Sequence, residues 1–135
     1  MNITTITEKL TACSGWQAKY REIMLLGKQL PALPDELKVP SALVSGCDSN
    51  VWLYIELDDS QQQMVLMADS DTRIVRGLLT IIIAAFAGKS PQQAAQTDVY
   101  GLFQSLGLIA HLSPSRGNGI RAIVEQIQLA AKQCD

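Results

Sequence analysis

Apolar residues recur at helical spacing along most of this chain, and one central stretch breaks the rhythm. Ile3, Ile6, Leu10 and Cys13 lie near one stripe, which predicts a helix from about Thr5 to Cys13 with the cysteine in the core. Ser14-Gly15-Trp16-Gln17 has the form of a capping box, and Trp16, Tyr20, Ile23, Met24 and Gly27 follow at helical spacing. Pro31 and Pro34 end this second helix, because the residue before a proline is pushed out of the α region. Asp35 to Pro40 reads as a connector.

From Ala42 the apolar runs shorten. Ala42-Leu43-Val44 predicts a brief strand, and Val51 to Leu57, rich in β-branched and aromatic residues, predicts a second. Asp58-Asp59-Ser60-Gln61 supplies a turn, and Met64 to Met67 returns as a third. Helical signals then resume. Asp69-Ser70-Asp71 offers N-cap oxygens to the apolar segment Leu78 to Ala87, which Gly88 stops. Ser90-Pro91-Gln92-Gln93 combines an N-cap serine, proline at the first helical position and glutamine at the third. Thr97 or Asp98 opens a short helix carrying Leu102, Phe103 and Leu106, closed by Gly107. Ser113-Pro114 starts the last helix, with Ile120, Ile123, Val124, Ile127 and Ala131 on one stripe. The expected fold class is α+β, a small antiparallel β-sheet packed against helices.

Composition narrows the function. With 135 residues, 47% of them hydrophobic, the chain is the size of a single domain spanning residues 1–135 and can bury a real core. Its net charge of -2 argues against a polybasic nucleic-acid surface. The most apolar segment is about half the length a membrane span needs, so no membrane association is expected. The first residues lack a basic segment followed by an apolar run, so no signal peptide is expected. The three cysteines, at 13, 47 and 134, are odd in number and widely spaced. They make neither a disulfide framework nor a zinc site, and point to the reducing cytoplasm. No bound cofactor or metal is expected.

Cys47 carries the chemistry. It falls in a bend, Gly46-Cys47-Asp48-Ser49-Asn50, between two predicted strands, where a thiol can be presented to a partner. Nucleophilic attack needs the thiolate, which Asp48 disfavours and which Arg116 or a helix start would favour. A cysteine hydrolase also needs an oriented histidine base. The only histidine, His111, is distant in sequence and reads as a capping or packing residue. Attack on a sulfur activated by another enzyme needs only an acceptor thiol. Cys134 reads as tail. Ser113 to Gly119 has hydroxyls, an arginine and glycines at a helix start but lacks the spacing of a phosphate loop. Asp69-Ser70-Asp71 reads as capping rather than metal-binding.

With these residues in view, the chain resembles the SufE/CsdE family of sulfur-acceptor proteins, closer to its CsdE branch. The segments that carry the resemblance are Met24 to Pro34, Gly46-Cys47 with Val51-Trp52, Asp69-Ser70-Asp71 followed by Arg73 to Leu78, and Leu112 to Arg116 before a helical glycine. The resemblance implies a fold similar to that of the iron-sulfur scaffold protein IscU, with Cys47 at a loop tip. It implies a pyridoxal-phosphate cysteine desulfurase as partner, whose persulfide sulfur Cys47 accepts and whose activity the chain stimulates. Pyridoxal phosphate belongs to that partner, and the only adduct here is a transient Cys47 persulfide. Asp71 and Arg116 match family positions near the acceptor loop that are linked to the desulfurase interaction, and Gly46 and Asp48, on either side of the cysteine, are expected to bind the partner with them, although Asp48-Ser49-Asn50 departs from the family's usual forms. An apolar pocket for the cysteine would draw on Leu43, Val44, Val51 and Trp52. Sulfur would pass to a downstream acceptor, a cluster scaffold or a tRNA-modification protein, from a monomer or weak dimer. Two rival readings are an iron-sulfur or metal-binding scaffold, disfavoured by a single well-placed thiol, and a regulatory adaptor indifferent to the thiol.

Overall fold

The structure, a computed structural model, describes residues 2–46, 49–58, 60 and 62–133. Two helices come first, α1 (Ile3–Ala12) and α2 (Gly15–Gln29). Two short 3-10 turns, Asp35–Leu37 and Pro40–Ala42, lead to the hairpin of β1 (Val51–Leu57) and β2 (Met64–Ser70). Four helices follow: α3 (Arg73–Phe86), α4 (Pro91–Gln96), α5 (Val99–Ser105) and α6 (Pro114–Lys132). The class is α+β, as the pattern predicts.

The strands pair antiparallel, with Val51 opposite Ser70 and Leu57 opposite Met64. The expected strand at Ala42-Leu43-Val44 reduces to one bridge, Leu43 to Trp52, with the Val44 N–H donating to the Val51 carbonyl at 2.9 Å. Pro40 explains the shortfall, because it fixes a 3-10 turn through Ala42 and leaves only two residues extended.

Helix α3 is the centre of the core. Ile74, Val75, Leu78, Leu79, Ile81, Ile82, Ala85 and Phe86 are all buried, as a short helix apolar on nearly every side requires. It packs on α2, β2 and α1. The crossing with α2 is a glycine contact: a Cβ on Gly77 would lie 2.0 Å from the Ile23 carbonyl oxygen, and one on Gly27 would lie 3.0 Å from the Gly77 nitrogen. That closeness lets α3 satisfy the orphan carbonyls at the end of α2. The Arg76 guanidinium donates to the Leu30 carbonyl at 2.7 Å, and the Thr80 hydroxyl to that of Leu26 at 3.2 Å.

Helix α6 closes the other side, burying the predicted stripe Ile120, Ile123, Val124, Ile127 and Ala131. Gln128 ties it to the α4–α5 corner by donating to the Thr97 carbonyl at 2.6 Å. His111 packs as expected, its ring stacked on Trp16 with centroids 4.8 Å apart. Cys13 differs from expectation. It sits beyond the last turn of α1, half-buried and free, its thiol directed at the Lys9 carbonyl. The stripe runs out with the helix at Ala12, so the cysteine never enters the core.

Candidate functional site

Cys47 and Asp48 lie outside the described residues, as do Cys134 and Asp135. Three elements distant in sequence converge on the residues on either side of Cys47 and Asp48.

Gly46 enters from the Val44 side with φ +90°, a conformation that favours glycine. A Cβ there would stand 3.3 Å from Cβ of Ala122, so the backbone approaches α6 closely. On the far side, the Thr72 hydroxyl donates to the Ser49 hydroxyl at 2.9 Å and the Asn50 amide to the Asp71 carboxylate at 3.1 Å. The Asn50 carbonyl accepts from the Ser70 hydroxyl at 2.7 Å. Ser70 in turn accepts from the Thr72 N–H. The segment therefore leaves along the end of β2 and the start of α3 through linked hydrogen bonds, one exposed and the others partly buried.

Beside Ser49 lies a cavity of about 50 Å³ between β1, α3 and α6. Val51, Val75, Ile120 and Ile123 make its apolar wall, and Ser113, Ser115 and Arg116 its polar mouth. Arg116 stands in the first turn of α6, whose N-cap, Ser113, accepts from the Arg116 N–H at 3.2 Å. Among the described residues the Arg116 side chain makes no ion pair. Arg116 and the N-terminus of α6 thus supply positive potential at one side of the segment, while Asp71 holds the other side.

Asp69 anchors this arrangement from behind. Its carboxylate, 1% exposed as a residue, accepts from the Leu33 and Ser70 N–H groups and pairs with Arg76 and with Lys38. Burial alone would raise its pKa, but the two N–H donors and the Arg76 charge outweigh burial and hold the carboxyl below its ordinary range. Lys38 also lies over the Trp52 ring at 5.5 Å.

The SufE family model, described as an Fe-S metabolism associated domain, matches residues 4–131. The chain belongs to the SufE family. Among its relatives, the sulfur acceptor protein CsdE of Escherichia coli K12 is 41% identical over 129 residues, covering 96% of this chain and 87% of that protein. A SufE-like protein of Rhizobium etli is 35% identical over 133 residues, covering 97% and 90%. The fold matches the solution structure of a Thermus thermophilus protein with a TM-score of 0.78 over 98% of this chain and 94% of that one, at 13% identity.

In this SufE-family chain two expectations from the sequence are corrected. Asp69-Ser70-Asp71 does not cap α3. Asp69 and Ser70 end β2, and the N-cap is Thr72, with no side-chain cap bond. Of the expected pocket residues only Val51 lines the cavity. Leu43 is exposed, and Trp52 faces the opposite side of the sheet toward Lys38, because alternation along β1 sends odd positions inward. Asn50 and Ser70, read from the sequence only as bend and cap, instead tether the segment together with Thr72. Their only sequence signal is polar character beside a loop, which nearly every loop shares.

Proposed function

We propose that this chain is a sulfur acceptor. Cys47 takes the outer sulfur of a persulfide held by a cysteine desulfurase, and the chain then relays it onward. The attacking Cys47 thiolate forms an S–S bond to the outer persulfide sulfur while the bond from that sulfur to the donor's cysteine breaks. The donor leaves as a thiolate that takes up a proton, and Cys47 carries the persulfide.

The observation that supports this reading is the setting of the segment that holds Cys47. Its flanks are pinned to α6 on one side and to the β2–α3 junction on the other, with Arg116 beside it. Such a setting presents one thiol to a partner that does the activation, and it suits stimulation of that partner. The sulfur-acceptor name of the E. coli relative points the same way. In this reading Gly46, Asp48, Asp71 and Arg116 form the rim that meets the desulfurase, pyridoxal phosphate stays with that enzyme, and the setting is the cytoplasm.

Intact-mass spectrometry after incubation with a cysteine desulfurase and free cysteine tests the proposal. The expected result is a gain of one sulfur atom that maps to Cys47, is removed by a reductant and disappears in Cys47→Ser. Sulfur found on Cys13 or Cys134 would overturn the assignment.

A further inference from the structure

Away from the cavity, the exposed side of α2 and the start of α3 form a surface of a different kind. Arg21, Lys28, Arg73 and Arg76 line a groove of about 500 Å³ whose lining includes Met24 and Leu25 and no carboxylate. Arg76 is committed to Asp69 and the Leu30 carbonyl. Arg21, Lys28 and Arg73 are exposed and take part in no ion pair among the described residues. A second depression shares Arg21 and Met24 and extends the surface to Tyr20. Leu25 is 47% and Tyr20 41% exposed.

This concentration of positive charge does not follow from composition, since the whole chain is net acidic. Unpaired cations around exposed leucine and tyrosine and a half-buried methionine match the anatomy of a protein-binding face, an apolar centre with a charged rim. A nucleic-acid backbone would be served by a longer basic track without the exposed leucine. The groove also ends one residue from the anchor of the segment that holds Cys47. Arg73 follows Thr72, the residue whose hydroxyl binds Ser49.

We infer that the α2–α3 groove is a docking surface for an acidic segment of the sulfur-donating desulfurase that also carries an apolar side chain. Carboxylates of that segment meet Arg21, Lys28 and Arg73, and its apolar residue covers Leu25 and Met24. Docked there, the partner lies against the β2–α3 junction, which brings its active site toward Cys47. The inference rests on the sulfur-acceptor reading for the identity of the partner, but binding through the groove is measurable without sulfur transfer.

The test compares the wild type, Arg21→Glu with Lys28→Glu, and Lys132→Glu as a charge control at the far end of α6. All three carry Cys47→Ser for direct binding to the desulfurase and Cys47 intact for persulfide loading. The double reversal is expected to raise Kd about tenfold or more and to flatten its salt dependence, while Lys132→Glu matches the wild type. Loading of the double variant at saturating desulfurase should reach the wild-type level, with the half-saturating concentration moved in step with Kd. An unchanged Kd, an equal shift in the control, or a groove-dependent affinity for tRNA in place of the desulfurase would overturn the inference. Unchanged Kd with normal loading sinks the groove alone. A groove-dependent Kd with no loading of the wild type sinks the sulfur-acceptor reading alone.

Discussion

Asp69 concentrates more of the architecture than any other single side chain. It joins the Leu33 backbone, the end of β2, Arg76 on α3 and Lys38 before the hairpin. Removing its charge leaves the Arg76 guanidinium without a counter-charge and Lys38 with only the exposed Asp35. Asp69→Asn is therefore expected to destabilise the fold by about 2–4 kcal/mol, read from urea unfolding. The acid limb of stability should change as well. Asp69 has a folded pKa below its unfolded value, so its contribution is complete above about pH 4. That contribution is lost as pH falls through the lower, folded value. In Asp69→Asn the slope of stability against pH in this window should be shallower than in the wild type. The local sequence Asp69-Ser70-Asp71 pointed to a cap because its tertiary partners, 36 residues upstream at Leu33 and seven downstream at Arg76, leave no trace in spacing.

Elements were more legible than their ends. The apolar stripes located the helices because burial of one face is what stabilises them. Identical cap signals nevertheless had different outcomes. At Ser90 both halves of the capping box form, the hydroxyl accepting from the Gln93 N–H and the Gln93 side chain from the Ser90 N–H. At Ser14 no side-chain bond forms, because Gly15 at φ +81° turns the chain between the serine and the first turn. Ser90→Ala should cost about 1 kcal/mol and Ser14→Ala a few tenths at most, compared by urea midpoints. The α2–α3 crossing offers a sharper contrast. Alanine is intrinsically better than glycine in a helix by about 1 kcal/mol, yet at Gly77 the added methyl meets the Ile23 backbone, which has no side-chain freedom to yield. Gly77→Ala is expected to destabilise by about 2–3 kcal/mol net. Gly27→Ala, with its nearest contact a full ångström longer, should cost less.

For the whole molecule, the core and the site follow different logics. The core is read from periodicity. The described part of the candidate site is assembled from residues 46, 49–50, 70–72 and 113–123, which only the tertiary fold brings together. A cysteine in a polar bend stands out in the sequence, and Arg116 does line the cavity beside Ser49. What holds the segment was not legible, because Thr72–Ser49 and Asn50–Asp71 join residues more than twenty positions apart. The Asn50–Asp71 contact is exposed and Thr72–Ser49 only partly buried, so both contribute little to global stability and belong to the part of the molecule that opens locally. Replacing them with Thr72→Val and Asn50→Ala should leave the melting temperature within about two degrees of wild type. The same pair should raise the rate at which a thiol reagent modifies Cys47 by about threefold or more. Peptide mapping separates that signal from Cys13, whose rate should not move because its thiol is held against α1, on the Lys9 carbonyl. An unchanged Cys47 rate would mean that the grip on the acceptor segment comes from Gly46 against α6. In that case Gly46→Ala, which meets Ala122 at a positive φ, is the substitution that should release it.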